Sequence, residues 1–148
     1  TKTGHAFIKE ARRREQAVYG GEMSAHHYFQ EFGYCDSRML PWLLVAQLIS
    51  RQGKNLSALV DARIQAYPVS GEINSTVSDP DAVLKTLEQR YGSRGKVLKI
   101  DGLSIIANTW WFNVRKSNTE PLVRLNLEAD SAGLMEEKRD EVLALIRQ

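Results

Sequence analysis

The chain has one cysteine, Cys35, in 148 residues. No disulfide can close within it, and a lone thiol suits a reducing cytoplasm. Long apolar runs are missing as well: the stretch from Pro41 to Ala46 is far too short to cross a bilayer. Nor is there an excess of charge. A formal net charge of +2 is too small to argue for a nucleic-acid footprint. No signal peptide is legible, and the opening Thr1-Lys2-Thr3-Gly4 carries no initiator methionine, so the sequence reads as an excerpt of a longer chain. What is present is 43% apolar residues with moderate charge. That is the composition of a soluble globular chain, one ordinary domain or two small ones, with neither membrane nor nucleic acid as a partner.

The apolar pattern breaks at Pro68-Val69-Ser70-Gly71, a short linker composition. Before it, Thr3 is placed to cap a helix over about 4–14. Phe7, Ile8 and Ala11 share one face, and Arg12, Arg13 and Arg14 trail toward the end where cations suit the helix dipole and are solvated. Ala17-Val18-Tyr19 reads as a short buried strand. Asp36 caps a helix over about 37–52 that Gly53 ends, and Asn55 starts another that Tyr67-Pro68 stops. Leu40, Leu43, Leu44 and Leu48, then Leu56, Leu59, Val60 and Ile64, recur at helical spacing and are expected in the core.

After the linker the pattern restarts. A strand covers 72–77, Pro80 opens a helix that Gly92 stops, and Asp101-Gly102 marks a hairpin. Alternating strands at 110–115 and 122–128 precede a final helix over about 132–147. The expected fold is α+β. A C-terminal four-stranded antiparallel sheet covered by two helices, β-α-β-β-β-α, occupies 72–148, and part of an α/β domain occupies 1–67.

Two polar stretches offer chemistry. Arg115-Lys116-Ser117-Asn118-Thr119-Glu120-Pro121 joins two alternating strands as a hairpin tip. A guanidinium, hydroxyls, a carboxamide and backbone N–H groups can surround a phosphate, and Arg124 adds a second positive charge. Ordinary turn chemistry explains the same Ser, Asn and Pro. Strand alternation opposes Lys116 to Arg115 and sends it to solvent. In Gly20-Gly21-Glu22-Met23-Ser24-Ala25-His26, an extended backbone would point Glu22, Ser24 and His26 the same way. A carboxylate, a hydroxyl and an imidazole suit vicinal sugar hydroxyls, which both donate and accept. A polar loop with a structural His26 is the plainer account.

Both stretches have a relative. Arg115 to Pro121 with Arg124 resembles the phosphate-binding loop in the last domain of the α-D-phosphohexomutases, the phosphomannomutases and phosphoglucomutases. Gly21 to His26 resembles their sugar-binding loop, with Ala25 where the family usually has Gly. The continuation through His27-Tyr28-Phe29 leans toward the bacterial phosphomannomutase branch. Lys2-Thr3-Gly4-His5 is similar to a segment whose His reaches the active site from a helix start.

The resemblance implies a reversible phosphoryl shuttle between hexose 6-phosphate and hexose 1-phosphate. An active-site phosphoserine, a hexose 1,6-bisphosphate intermediate and Mg²⁺ belong to the intact enzyme. It also implies that this chain is the latter part of the third domain plus all of the fourth, with the missing N-terminal domains as partners. The substrate would be a mannose or glucose phosphate, with mannose favoured. Arg115, Ser117, Asn118, Thr119 and Arg124 would hold the non-reacting phosphate. Glu22, Ser24 and His26 would take sugar hydroxyls, and His5 or His26 would assist proton transfer. No serine here sits in the family's phosphoserine motif, and Asp101-Gly102 runs into Leu103 rather than into an Asp-Gly-Asp metal loop. His26-His27 with Cys35 is poor metal spacing. The chain alone is therefore expected to bind no metal and to be inactive. Two other readings stand: a non-catalytic phosphosugar-binding module, and a nucleic-acid-binding domain using Arg115, Lys116 and Arg124 with Trp110 or Trp111 for stacking.

Overall fold

The computed structural model describes residues 1–2, 4–22, 24–117 and 120–148. Two compact units emerge, 1–59 and 60–148.

In the first unit, α1 (His5–Arg14) precedes three short strands, β1 (Tyr19–Gly21), β2 (His27–Phe29) and β3 (Cys35–Asp36). They pair antiparallel in the order β1-β2-β3. Gly4 takes the N-cap position of α1 at φ 131; the cap expected at Thr3 lies outside the described residues. The arginine run is not wholly solvated. Arg12 is 5% exposed, donates from Nη2 to the Ala17 carbonyl at 2.7 Å and lies over the Tyr34 ring at 5.2 Å. Gly20 makes that possible, because a Cβ there would meet Arg12 Cδ at 2.5 Å. The strand expected at Ala17-Val18-Tyr19 begins only at Tyr19, and both Val18 and Tyr19 are exposed.

Next come α2 (Met39–Gln52) and α3 (Leu56–Ala66), in which the division between units falls. Asn55 Oδ1 accepts from the Ala58 N–H as expected of a cap. The stripes expected in the core form as helix faces, yet neither helix buries a residue. Leu43 and Leu44 are each 51% exposed and Ile64 55%, because no layer among the described residues covers them.

The second unit contains β4 (Ile73–Thr76), α4 (Pro80–Tyr91), β5 (Lys96–Leu98), β6 (Leu103–Ile106), β7 (Trp110–Lys116), β8 (Leu122–Ala129) and α5 (Ala132–Ile146). The α+β class holds, but the sheet has five strands, not four, in the order β4-β8-β7-β6-β5 and antiparallel throughout. The hairpin expected at Asp101-Gly102 forms, with β5 and β6 on either side, and counting both of its strands makes the order β-α-β-β-β-β-α. Gly102 is required there: φ is +76, and a Cβ would sit 2.3 Å from the Val114 carbonyl oxygen.

Period-2 alternation places Trp110, Phe112 and Val114 of β7 and Val123, Leu125, Leu127 and Ala129 of β8 in the core. Leu103 and Ile105 of β6, Leu87 and Tyr91 of α4 and Met135, Val142 and Ile146 of α5 complete it. The other sheet face carries Trp111, Asn113 and Arg115 on β7 and Arg124, Asn126 and Glu128 on β8, all half-buried. The stretch read as a linker is tied to β8: Ala129 N–H donates to the Pro68 carbonyl at 3.2 Å and Ser70 N–H to the Leu127 carbonyl at 2.8 Å. Among the described residues, no helix is long and apolar enough to cross a membrane.

Candidate functional site

In the first unit the loop between β1 and β2 is a tight hairpin loop, not the extended segment expected. Glu22 N–H donates to the His26 carbonyl at 2.9 Å, and Ala25 N–H to the Glu22 carbonyl at 3.0 Å. Glu22 and His26 are therefore neighbours across the loop, not by alternation, and Ser24 sits exposed at its tip. The loop needs a left-handed residue. Ala25 supplies it at φ 61, where a Cβ costs about 1 kcal/mol and glycine would be unstrained.

The polar side chains form one chain of contacts. Tyr28, fully buried at the centre of β2, donates its hydroxyl proton to Glu22 Oε1 at 2.5 Å. His5 Nδ1 lies 2.9 Å from the same oxygen. The His5 and His26 rings meet edge to face with centroids 5.5 Å apart. His26 Nδ1 donates to Asp36 Oδ2 at 2.7 Å, and Asp36 Oδ1 accepts from the His27 N–H at 2.9 Å. Burial, reinforced by the Glu22 carboxylate, raises the Tyr28 phenol well above its ordinary value, so it stays protonated. The His26 hydrogen bond, with the His27 N–H, holds the Asp36 carboxyl below the usual carboxylate range.

Asp36 is thus a histidine partner. The helix it was expected to cap begins at Met39, where the Ser37 hydroxyl accepts from the Leu40 N–H. Tyr28 and Asp36 are the two site residues that sequence reasoning missed here. Only the antiparallel register of β2, Tyr28 opposite Asp36, reveals the second.

In the second unit Arg115 and Arg124 are directly opposed across β7 and β8. Like charges so placed repel, and one carboxylate reconciles them. Glu72 Oε2 accepts from Arg115 Nη2 at 3.0 Å, and Glu72 Oε1 from Arg124 Nη1 at 3.2 Å. Two guanidiniums against one carboxylate leave a positive charge over, and Arg124 Nε is buried without a partner among the described residues. Glu72 was missed because it reads as an ordinary strand start. Only the register reveals it: Glu72 lies two residues before Asn74, which pairs with Arg124, and so shares that face.

Lys116 points to the opposite face, as alternation required, but Asp81 at the start of α4 engages it at 2.7 Å. The Ser117 N–H closes the hairpin base on the Leu122 carbonyl at 3.0 Å. Asn118 and Thr119, expected in the phosphate clamp, lie outside the described residues. Trp110 is in the core, and Trp111 donates from Nε1 to Glu128 at 3.1 Å; neither is a free stacking platform.

For metals, the described residues offer one group of donors. His5, His26 and Asp36 each bring one ligand atom within 4.8 Å of the others. Linear spacing hid this group. Two imidazoles and an already engaged carboxylate do not fit Mg²⁺, which takes hard oxygen donors in octahedral array.

Two family models match the sequence: "Phosphoglucomutase/phosphomannomutase, alpha/beta/alpha domain III" over 1–67 and "Phosphoglucomutase/phosphomannomutase, C-terminal domain" over 72–145. The chain belongs to the phosphoglucomutase/phosphomannomutase family. It is 51% identical over 148 residues to a phosphomannomutase of Salmonella montevideo, with 99% of this chain and 32% of that protein covered. It is 53% identical over 148 residues to a protein of Xanthomonas campestris pv. campestris strain B100 named "Phosphohexose mutases", covering 99% and 33%. An X-ray structure of a phosphoglucomutase/phosphomannomutase family protein from Burkholderia thailandensis superposes with a TM-score of 0.70 at 26% identity, covering 97% of this chain and 31% of that one. The chain spans about one third of the length of the curated relatives it matches.

Two outcomes test this geometry. The depressed Asp36 carboxyl contributes stability that is present above its unfolded value, about 3.9, and is lost as pH falls through the lowered folded value. Asp36→Asn is therefore expected to be less stable than wild type at about pH 5, with the gap closing toward about pH 3, in urea unfolding. A gap that widens on acidification contradicts the assignment. Glu72→Ala leaves two opposed arginines without their carboxylate and should destabilise by about 1–2 kcal/mol. Inorganic phosphate should then raise the melting temperature of Glu72→Ala more than that of wild type. Equal shifts would mean that the arginine pair is no anion site.

Proposed function

We propose that this chain is the sugar- and phosphate-binding portion of a phosphomannomutase-type phosphohexomutase. The reaction interconverts hexose 6-phosphate and hexose 1-phosphate through a hexose 1,6-bisphosphate, with mannose as the favoured sugar. In this reading residues 1–67 belong to the sugar-binding domain, 68–71 form the connection, and 72–148 are the phosphate-binding domain. The observation that carries it is the opposed pair Arg115 and Arg124, half-buried, sharing one carboxylate, with Arg124 Nε unpartnered among the described residues.

Arg115 and Arg124 take the phosphate that is not reacting, with Ser117, Asn118 and Thr119 of the same loop. Glu22, Ser24 and His26 take sugar hydroxyls, and His5 or His26 accepts or returns a hydroxyl proton. Binding energy from the remote phosphate then positions the reacting end. Both substrate orientations are served, because the clamp recognises a phosphate and the loop recognises hydroxyls, and each group is present either way round. In this reading Mg²⁺ and the phosphoserine belong to domains of the intact enzyme other than these two. Further residues of that enzyme would cover the exposed faces of α2 and α3. A cytoplasmic setting is part of the proposal, supported by the free, exposed thiol of Cys35. The nucleic-acid reading loses its support, since its aromatic side chains are packed or bonded and Arg115, Lys116 and Arg124 face carboxylates.

The pure 148-residue chain is expected to show no turnover of mannose 1-phosphate. Substituted for the matching third of the Salmonella phosphomannomutase, it should support turnover, and Arg115→Ala in that chimera should lower kcat/KM by about 100-fold. A folded chimera that binds phosphosugar but leaves Arg115→Ala unimpaired would refute the reading.

A further inference from the structure

We propose that Tyr28 is the positioning residue of the sugar site: through one hydroxyl it fixes the Glu22 carboxylate and locks His5 in the tautomer that carries its proton on Nδ1. This rests on the reading of Glu22 and His5 as sugar-site residues.

The number of hydrogens available decides the tautomer. A phenol has one O–H proton. Tyr28 donates it to Glu22 Oε1 at 2.5 Å. Toward His5 Nδ1, 2.9 Å away, the same oxygen can only accept. His5 Nδ1 must then carry the hydrogen, and Nε2 is left as the acceptor of the neutral ring. Asp36 imposes the same state on His26, since a carboxylate can only accept from Nδ1. With Nδ1 committed in both rings, each neutral imidazole keeps its lone pair on Nε2, and Glu22 adds a carboxylate. That is a set of acceptors, matched to a ligand that arrives with O–H donors.

The placement is rigid. Tyr28 is fully buried on the middle strand of three, opposite Gly20 on one side and Asp36 on the other. Its ring also packs edge-on against His5, with centroids 5.0 Å apart. A phenylalanine would keep that packing and remove only the hydroxyl. Glu22 would then lose the donor that holds Oε1, and His5 would be free to return to the Nε2–H tautomer that unconstrained histidine prefers.

The test is long-range ¹H–¹⁵N NMR of the histidine side chains in the wild-type chain and in Tyr28→Phe, followed by titration with mannose 1-phosphate and, separately, with inorganic phosphate. The expected wild-type spectrum shows His5 and His26 both as Nδ1–H. In Tyr28→Phe, His5 changes to Nε2–H while His26 does not. Affinity for mannose 1-phosphate falls about tenfold while that for inorganic phosphate is unchanged. His5 found as Nε2–H in the wild type overturns the proposal and needs no variant to fold. So does a Tyr28→Phe chain with the wild-type tautomer and affinity. If the wild type shows the expected tautomers but no affinity for mannose 1-phosphate, the sugar-site reading fails and the hydroxyl's hold on His5 stands.

Discussion

The pairing of β7 with β8 is the constraint on which the second unit depends. One register, Phe112 opposite Leu127, Val114 opposite Leu125 and Arg115 opposite Arg124, decides both faces at once. On one face it builds the core that α4 and α5 cover. On the other it sets two guanidiniums against each other. A slip of one residue would bury the arginines and expose the valines and leucines. The apolar burial that stabilises the sheet is therefore also what holds the arginine pair together against its own repulsion, with Glu72 as the counter-charge.

The first unit is organised differently. Its three strands are short, and its order at the candidate site comes from hydrogen bonds that run from Glu22 through Tyr28 to His5, and from His26 to Asp36. Such a network is strong because each hydrogen has an assigned acceptor and its central hydroxyl is out of water. The apolar faces of α2 and α3 stand in contrast. They show the periodicity of buried helices while lying exposed.

Much of this was legible in the sequence. The helix cap at Asn55, the helix start at Pro80, the Gly53 stop and the alternating strands around Arg115 follow local rules, and the structure obeys them. The loop families were legible because Glu22 to His26 and Arg115 to Pro121 are contiguous. What stayed hidden depends on pairing across the chain. Asp36 looks like a cap until β3 lies beside β2. Glu72 looks like a strand start until Arg124 lies beside Asn74. Arg12 looks solvated until the Ala17 carbonyl and the Tyr34 ring are found around it. The hairpin at Asp101-Gly102 was legible from its turn signal, but the close approach of Gly102 to Val114, which also excludes a Cβ there, is a tertiary fact.

The most direct measurement is a titration of this chain with mannose 1-phosphate, following backbone amides by NMR. Saturable shifts are expected at the amides of Arg115, Ser117 and Arg124. A well-dispersed spectrum in which those amides stay flat would contradict the account, since the arginine pair would then be a structural cross-link and no phosphate site.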